Sequence, residues 1–440
     1  MDRQQVLDDS KKYSMFTWVP QKVYTPLVIE KIEDIYLYDV DGTRYYDMTS
    51  QLINVNIGYN NPAIIKAIQD QAAELCCIAP RHTYPKRAEL AKIIIEELAP
   101  KNMAKVLFTS GGSDANEYAL RLAKVFTGKD KVLSKFESYH GSTYGAANLN
   151  GEAERSSTFP TIPGFIKFDA PHLYTYDLVF NTEEEATAHF LARLEYLIDI
   201  EGKDNIAALF IETVTGSNGV HLYPKGYLKG VRELCTKYGI VMVCDEVMSG
   251  FLRCGEWFAC QLEGVEPDII TSAKGLNSGY APLGAVILNK EISAFLDDKA
   301  VLAGMTYNSH ALCIAPAIAN IREMQRLKVK ENVNTLAPKL KKILENLKAN
   351  HPSIGDVRCI GLLGAIEFVS DREKRKLMTV TKEGKPFFPA LIANMYRNKI
   401  ATVGHGSCIM FAPILTITED QLNELAGVVD KALYWVDEQL

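Results

Sequence analysis

Two acids follow an apolar run near the middle of the sequence. In the segment GIVMVCDEVMSG, residues 240–244 are apolar and lead directly into Asp245 and Glu246. Apolar runs of this length are typical of parallel strands that are covered on both faces. A carboxylate at the end of such a strand is costly to bury without a cation, so at least one acid should have a cationic partner. We expect Asp245 to lie in a functional site and Glu246 to be the solvent-facing or structural member of the pair.

A lysine follows the next apolar run along the chain. The segment PDIITSAKGLNSGYAPLGAVIL places Lys274 between a buried strand and a stretch rich in turn-forming residues. Lysine is seldom buried without a specific role. Desolvation lowers its pKa, and the neutral amine can form a Schiff base with a carbonyl compound. Taken alone, a lysine after a strand is more often a solvated loop residue.

Two further strand ends carry residues that suit a phosphorylated, flat ligand. The segment FTSGGSDANEYAL places Gly112 and Ser113 at the start of a helix, where exposed backbone N–H groups can bind a phosphate. It is not a Walker loop, because no Gly-Lys-Ser/Thr follows. The segment FESYHGST places Tyr139 and His140 just after a strand, where the aromatic ring could stack on a cofactor. Each segment also has an ordinary structural interpretation, as a tight turn and as a half-buried tyrosine.

The combination of these four strand ends predicts a pyridoxal phosphate site. It supplies a phosphate cradle, a stacking aromatic ring, a carboxylate and an amine. The cationic partner of Asp245 would then be the protonated ring nitrogen of the cofactor, which makes the ring an electron sink.

The elements that must position these residues alternate between short apolar runs and helix-period segments. The runs are KVLFT from Lys105, KVLSKF from Lys131, IAALFIE from Ile206, IVMVC from Ile240, DIIT from Asp268 and LGAVILN from Leu283. Alternation of this kind predicts an α/β fold with a mainly parallel sheet, followed by a smaller α+β domain. We expect an N-terminal arm and β-hairpin over 1–60 that packs with the small domain. A large cofactor-binding domain should span 61–325, and the small domain 326–440.

Composition narrows the class of protein. The 440 residues are 47% hydrophobic and 23% charged with a net charge of −6, which does not favour nucleic acid as a partner. The polar N-terminus and the absence of a membrane-length apolar run predict a cytoplasmic protein without a signal peptide. The nine cysteines form no C-x-x-C pair and are expected to be reduced thiols. No Cys/His cluster has ligand spacing, so no metal is expected.

Over nearly its full length the chain resembles the class III (ω-amino acid) aminotransferases of fold type I. The segments that carry the resemblance include FTSGGSDANE, SYHGST, IETVTGSNGV, VMVCDEVMSGFLRCGEWFA, PDIITSAKGL, GMTYNSHALCIA, VRCIGLLGAIEF and APILTITEDQL. The resemblance implies pyridoxal 5'-phosphate as cofactor and a homodimer with shared active sites. Its implied site residues are Lys274 as the Schiff-base lysine, Asp245 at the ring nitrogen, Gly112 and Ser113 at the phosphate, Tyr139 and Val247 on the ring faces, His140 and Glu212 nearby, and Thr306 at the neighbouring subunit's phosphate.

Departures from the family pattern concern the substrate. Many relatives have glutamine where this chain has Met248, and relatives using 2-oxoglutarate pair the acid at Glu212 with an arginine where this chain has Met410. Ser142 likewise stands where some γ-aminobutyrate enzymes have arginine. A substrate carboxylate prefers a bidentate arginine, so the clamp must come from elsewhere.

The candidates for the clamp are Arg155, Arg81 and Arg253. Each of them also has an interpretation as a surface or structural arginine. We select Arg155, because it lies shortly after the Tyr139–His140 segment. The segments FTWVPQ, with Trp18, and ETVTGSNGV resemble the branch that acts on taurine and β-alanine. Trp18 is expected to form a wall of the substrate pocket, although it could instead anchor the N-terminal arm on the partner subunit.

The sequence thus predicts a ping-pong aminotransferase that moves an amino group from an ω-amino acid to 2-oxoglutarate or pyruvate. A racemase or aminomutase on the same fold is the close alternative. A nicotinamide-dependent oxidoreductase is disfavoured, because no G-x-G-x-x-G follows a first strand. A non-catalytic relative is disfavoured because both Lys274 and Asp245 are present.

Overall fold

The computed structural model describes residues 2–152, 161–172, 174 and 180–440. In this part of the chain the strands are β1 (Ile29–Glu33), β2 (Tyr36–Asp39), β3 (Arg44–Asp47), β4 (Met103–Thr109), β5 (Lys131–Lys135), β6 (Phe165–Phe168), β7 (Ile206–Glu212), β8 (Val241–Asp245), β9 (Ile269–Ser272), β10 (Gly284–Asn289), β11 (Ile354–Ile360), β12 (Leu363–Asp371), β13 (Lys376–Leu377), β14 (Ile400–Ala401), β15 (Gly404–His405) and β16 (Cys408–Phe411).

The helices in the same described ranges are α1 (Arg3–Tyr13), α2 (Ser50–Ile53), α3 (Pro62–Glu74), α4 (Pro85–Ile93), α5 (Gly112–Thr127), α6 (Tyr144–Leu149), α7 (Glu183–Ile200), α8 (Tyr227–Tyr238), α9 (Lys290–Phe295), α10 (Ala311–Arg326), α11 (Val329–Asn350), α12 (Phe387–Arg397) and α13 (Glu419–Asp437).

The largest sheet has seven strands in the order β4-β10-β9-β8-β7-β5-β6. The strands from β9 to β6 pair in parallel, whereas β10 runs antiparallel to both of its neighbours, β9 and β4. Every residue of β7, β8, β9 and β10 is buried, as expected for strands covered by helices on both faces. The prediction of an α/β fold with a mainly parallel sheet is therefore confirmed.

The six predicted apolar runs all form strands of this sheet. The seventh strand, β6, was not predicted, because it falls in the long connection between β5 and β7 and is only four residues long. Helix α7 lies in the same connection and begins with three glutamates, and the Thr182 side chain caps it by accepting a hydrogen bond from the Glu185 backbone N–H.

Two smaller sheets lie outside the seven-stranded one. A turn at Asp41–Gly42 joins β2 to β3 in the predicted N-terminal hairpin, and Gly42 has the left-handed φ of 78° that such a turn favours. The sheet order is β1-β2-β3-β14, so the N-terminal hairpin pairs with a strand near the C-terminus. The other sheet, β11-β12-β16-β15, contains C-terminal strands alone. The proposed boundaries at 60/61 and 325/326 stay a prediction.

Helix α5 positions the start of the site. Its buried residues include Ala115, Tyr118, Ala119 and Leu122, which repeat at the spacing of one helix face. The helix ends at Gly128, whose φ of 68° is the left-handed conformation common after a helix. Because this face packs on the sheet, the first turn of α5 is held at the carboxyl edge of the parallel strands.

The described residues contain no helix with the length and apolar character needed to cross a bilayer. The nine cysteines are free thiols, and five of them are buried.

Candidate active site

The carboxyl ends of three neighbouring strands carry a row of polar residues. In the register of β7, β8 and β9, Glu212 lies beside Asp245, and Asp245 lies beside Thr271. Ligands of open α/β sheets bind beyond this edge. A cavity is present here, and the described residues that line it are Gly112, Ser113, Asn116, Tyr139, His140, Gly141, Glu212, Ser217, Asp245, Val247, Met248, Ala273 and Lys274.

The carboxylate of Asp245 is buried and held by three protein groups. The Asn116 side-chain amide donates to Oδ2 at 2.8 Å, and His140 Nδ1 lies 2.8 Å from the same oxygen. The backbone N–H of Val247 donates to Oδ1 at 3.0 Å. A carboxylate offers about four acceptor positions. Asp245 can therefore accept a further hydrogen bond from a ligand in the cavity.

The adjacent acid, Glu246, is fully buried and does not line the cavity. The Ser249 hydroxyl donates to its Oε2 at 2.5 Å, and the backbone N–H groups of Ala259 and Cys260 donate at 2.9 and 2.8 Å. Burial raises the pKa of Glu246, and these donors oppose that shift. The expectation that Glu246 faces solvent is wrong, because the loop after β8 folds back over it; the alternative structural role fits.

The phosphate-binding end predicted at the start of α5 is built around two glycines. A Cβ atom at Gly112 would lie 2.9 Å from Cγ1 of Val247. Gly141 has φ of 139°, and a Cβ there would lie 2.4 Å from Oγ of Ser113. A side chain at either position would therefore collide with its neighbours in the wall at this end of the cavity. The open backbone N–H groups of a 16-residue helix make it suited to an anion.

The Tyr139 wall of the cavity is tied to the sheet through Glu212. The backbone N–H of Tyr139 donates to Glu212 Oε1 at 2.9 Å, and that of Gly216 donates to Oε2 at 2.8 Å. The hydroxyl groups of Tyr139 and Ser142 lie 2.9 Å apart. Trp18 contacts the Tyr139 ring edge-on at 5.8 Å between ring centroids. It is absent from the described cavity lining, so its role as a wall of the substrate pocket stays a prediction.

Lys274 lines the same cavity and begins a short turn after β9. Its φ of 41° is in the left-handed region, which costs free energy for a residue with a side chain. Backbone strain of this kind persists where the surrounding structure fixes a side chain for function. The side chain is partly buried, so its ammonium form is partly desolvated.

Comparison with known proteins agrees with this geometry. Residues 18–433 match the family model described as aminotransferase class-III. The chain belongs to the class III aminotransferases.

Several transaminases are similar to this aminotransferase over most of its length. It is 33% identical over 431 residues to gamma aminobutyrate transaminase 2 of Solanum lycopersicum, covering 93% of this chain and 91% of that one. It is 32% identical over 418 residues to the putrescine–pyruvate aminotransferase of Pseudomonas aeruginosa, covering 92% and 90%. Among solved structures, it is similar to the taurine:2-oxoglutarate aminotransferase of Bifidobacterium kashiwanohense in complex with PLP and glutamate. That likeness has a TM-score of 0.96 and 38% identity, and it covers 100% of this chain and 99% of the other.

The predicted reaction class, cofactor and fold type are therefore confirmed. The protein is a pyridoxal-phosphate-dependent ω-amino acid transaminase of fold type I, with an amine donor and a keto-acid acceptor as substrates.

The residues of the cavity fit pyridoxal phosphate. Gly112 and Ser113 line the cavity at the N-terminus of α5, and Asp245 retains acceptor capacity for a ring N–H. The amine of Lys274 belongs to the same cavity as both. One cavity thus provides partners for the phosphate, the ring nitrogen and the carbonyl group of the cofactor.

Two methionines stand at the positions where the sequence departs from the family. Met248 lines the cavity and packs on Gly216, where a Cβ would lie 2.0 Å from its sulfur. Met410 lies in β16 and is buried in an apolar cluster with Val214 and Val220. The position at which the family resemblance implies an arginine in enzymes using 2-oxoglutarate is therefore part of the core in this chain.

The three arginines weighed for the substrate acid group have different surroundings. Arg253 is fully buried, and its guanidinium donates to the carbonyls of Leu362 and Pro413 and to the side chains of Ser50 and Asn56. It is thus a structural link and does not line the cavity.

Neither of the remaining two arginines is placed by the described structure where it could bind the acid group of a substrate. Arg81 is exposed and is absent from the described cavity lining. Arg155 lies outside the residues that the structure describes, so its role stays a prediction. Thr306 is exposed and is likewise absent from the described lining, so its predicted contact with a neighbouring subunit's cofactor also stays a prediction.

Sequence reasoning did not identify Asn116, which connects three parts of the site. Its side-chain amide donates to Asp245 and to the His140 carbonyl, and its Oδ1 accepts from the Thr271 hydroxyl at 2.8 Å. Asparagine is a poor helix former. Its presence on the buried face of α5, between alanine and glutamate in SDANEYAL, was the available signal.

Proposed function

We propose that this transaminase moves the amino group of taurine, or of a similarly short ω-amino acid such as β-alanine, to 2-oxoglutarate. The observation that carries the proposal is the 38% identity over the whole chain to the Bifidobacterium enzyme named for that reaction. The donor would leave as an aldehyde, and the keto acid would leave as the corresponding amino acid.

The position of Met410 supports a donor whose acid group is distant from its amine. An α-carboxylate beside the reacting amine is best held by a bidentate arginine. In the described part of the chain no arginine lines the cavity, and the family position is occupied by buried Met410. Donors with a terminal CH₂–NH₂ do not need that clamp, so they are favoured as donors. The α-carboxylate of the keto acid must be bound by a group other than an arginine of the described cavity lining.

We assign the chemical roles to two residues of the cavity. Pyridoxal phosphate, when bound, supplies an electron sink for carbanion chemistry. The amine of Lys274 would hold the cofactor covalently and then carry the proton as general base. Asp245 would accept a hydrogen bond from the ring nitrogen and keep it protonated, while Asn116 and His140 hold the carboxylate in place.

Binding of the cofactor is assigned to the remaining residues. Gly112 and Ser113 would bind the phosphate, and Tyr139 and Val247 would pack on the ring. Glu212 accepts a hydrogen bond from the backbone N–H of Tyr139 and acts through that residue, so we assign it a positioning role.

The test is a matrix of donors and acceptors. We expect kcat/KM for taurine and β-alanine with 2-oxoglutarate to exceed the values for γ-aminobutyrate, putrescine and L-alanine, each measured also with pyruvate. A tenfold advantage of L-alanine over all ω-amino donors would overturn the donor assignment. Interconversion of enantiomers without a keto product would favour the racemase or aminomutase alternative.

A sulfonate or carboxylate far from the amine still needs a cation, and we assign Arg155 to it on its place in the sequence. Arg155→Ala should raise KM for taurine while leaving KM for an uncharged primary amine close to wild type. An equal effect on both donors would assign Arg155 to folding instead.

We also propose a homodimer in which Thr306 reaches the partner subunit's cofactor. The segment around Thr306 exposes Leu302 and Tyr307, with 94% and 63% of their surface accessible in the single chain, as expected for residues covered by a partner. Mixing Thr306→Ala with Lys274→Ala subunits should restore part of the activity, because heterodimers contain one site with neither change. No recovery after verified subunit exchange would contradict shared sites.

We also propose a cytoplasmic location, which the nine free thiols support. Fractionation of the native cells with an antibody to the chain would test it.

A further inference from the structure

Three loops that follow adjacent parallel strands bring two histidines and a glutamate together. Glu137 follows β5, His172 follows β6, and His221 lies in the loop after β7. Oε2 of Glu137 lies 3.4 Å from Nδ1 of His172 and 3.6 Å from Nδ1 of His221. One ligand atom from each of the three residues lies within 4.8 Å of the other two.

The two imidazole rings are stacked, with 3.4 Å between centroids and 23° between planes. Their side chains are 9% and 4% exposed, whereas the Glu137 side chain is 54% exposed. A small ion could therefore reach the nitrogens past the glutamate, yet would be largely enclosed by protein once bound.

We propose that Glu137, His172 and His221 form a binding site for a divalent transition-metal ion, for which zinc is the best match. Imidazole nitrogen and carboxylate oxygen are the ligands that zinc takes at about 2.0–2.2 Å, in a tetrahedral arrangement. Two ligands at that distance and angle are roughly 3.3–3.5 Å apart. The distance from Glu137 to His172 falls in this range, and the distance to His221 is about 0.1 Å longer than its upper limit.

The three residues are of types that bind zinc. Histidine binds as the neutral ring and glutamate as the carboxylate. One ring nitrogen from each histidine and one carboxylate oxygen meet in a single small region.

A carboxylate lies near the second nitrogen of His172, beyond hydrogen-bond distance. Glu367 Oε2 lies 3.9 Å from Nε2 of His172, on the side of the ring opposite Glu137. Metal-bound histidines commonly have a carboxylate at that nitrogen, which orients the ring. The stacking contact fixes the second imidazole against the first.

Two cations lie nearby, and both are compensated. Arg358 pairs with Asp356 and Glu367, at 2.9 and 2.6 Å. Nζ of Lys135 donates to the carbonyls of Phe136 and Glu137, at 3.1 and 2.8 Å.

A metal at this position would connect two walls of the cofactor cavity. Glu137 is two residues before Tyr139, and His221 is four residues after Ser217; Tyr139 and Ser217 both line the cavity. The ion would hold these segments together without contacting the reacting atoms, so its primary effect is on stability.

The experiment uses the dialysed holoenzyme and zinc alone. After removal of metals with a chelator, titration with zinc should give one tightly bound ion per chain and raise the midpoint of thermal unfolding. The double variant His172→Gln/His221→Gln should lose this ion and the zinc-dependent shift. Loss of two ligands should weaken binding beyond the ~10–100-fold that removal of an outer partner costs.

Two further variants keep the test decisive. Glu137→Gln changes a largely exposed side chain and should weaken binding even if the double variant fails to fold. His82→Gln removes an exposed histidine outside the cluster and should leave zinc binding at the wild-type level. The proposal is overturned if wild type binds no zinc at micromolar concentrations, or if Glu137→Gln binds it as tightly as His82→Gln. The second outcome would place the ion elsewhere, for example on the cofactor phosphate.

Discussion

The two sides of the end of β8 place neighbouring acids in different chemical surroundings. On one side, Asp245 is held by Asn116, His140 and one backbone N–H, and it lines the cofactor cavity. On the other side, Glu246 is enclosed by the loop that follows the strand, and three protein donors bind its two oxygens.

The two acids differ in which groups donate the hydrogen bonds that satisfy each carboxylate. Protein groups alone donate to both oxygens of Glu246, whereas Asp245 can still accept a hydrogen bond on the cavity side. A buried acid that the protein completes contributes to the fold, because removal of it leaves unpaired donors. An acid that the protein holds but leaves partly available is suited to bind a cationic ligand group. Substitutions on the two sides should therefore affect different measured quantities.

The largest expected effect is on the cavity side, at Lys274. Lys274→Ala should abolish transamination while the protein stays folded, because it removes both the amine nucleophile and the proton carrier. The measurement is keto-acid-dependent turnover, with thermal unfolding as the test of folding. Lys290→Ala, at the exposed start of α9, is the control and should remain fully active. Turnover of Lys274→Ala near the wild-type rate would contradict the assignment.

The next largest effect should come from Asp245→Asn. A neutral amide no longer keeps the ring nitrogen of the cofactor protonated, so transition-state stabilisation should fall by about 2–4 kcal/mol. This corresponds to a decrease in kcat of roughly 30- to 1,000-fold. Retained cofactor, measured by absorbance after dialysis, would show that the loss is chemical. A decrease of less than about tenfold would mean that Asp245 is structural, like its neighbour.

The smallest effect on activity, but a clear effect on stability, should come from Glu246→Gln. Glutamine has nearly the same shape, but its NH₂ group faces backbone donors at Ala259 or Cys260 and leaves one unsatisfied. This should lower the free energy of unfolding by about 1–3 kcal/mol, measured by denaturant titration of the holoenzyme. Turnover per folded molecule should stay close to wild type. A large loss of turnover without a loss of stability would remove the distinction between the two acids.

The parts of the site that could be predicted from sequence are those that follow a strand directly. Asp245, Tyr139 and Lys274 each come within a few residues of an apolar run, so the shared edge of a parallel sheet brings them together. Strand β6 was not predicted, because four residues in a long connection give little periodicity.

Contacts between residues that are distant in the chain could not be predicted from the sequence. The enclosure of Glu246 arises from a loop that returns more than a dozen residues later, at Ala259 and Cys260. The absence of local Cys/His spacing led to the expectation of no metal. Yet Glu137, His172 and His221 come together from three separate strand ends, which local spacing does not report.

The pairing of β3 with β14 has a consequence for the order in which the chain folds during synthesis. Ile400 and Ala401 are hydrogen-bonded neighbours of Tyr46 and Asp47, although nearly the whole chain separates them. Domains generally fold as they leave the ribosome, N-terminal segments first. Here the N-terminal hairpin must wait with one unpaired edge until the last tenth of the chain has been made. That edge is a site where a chaperone or a second nascent chain could bind, and completion of synthesis closes it.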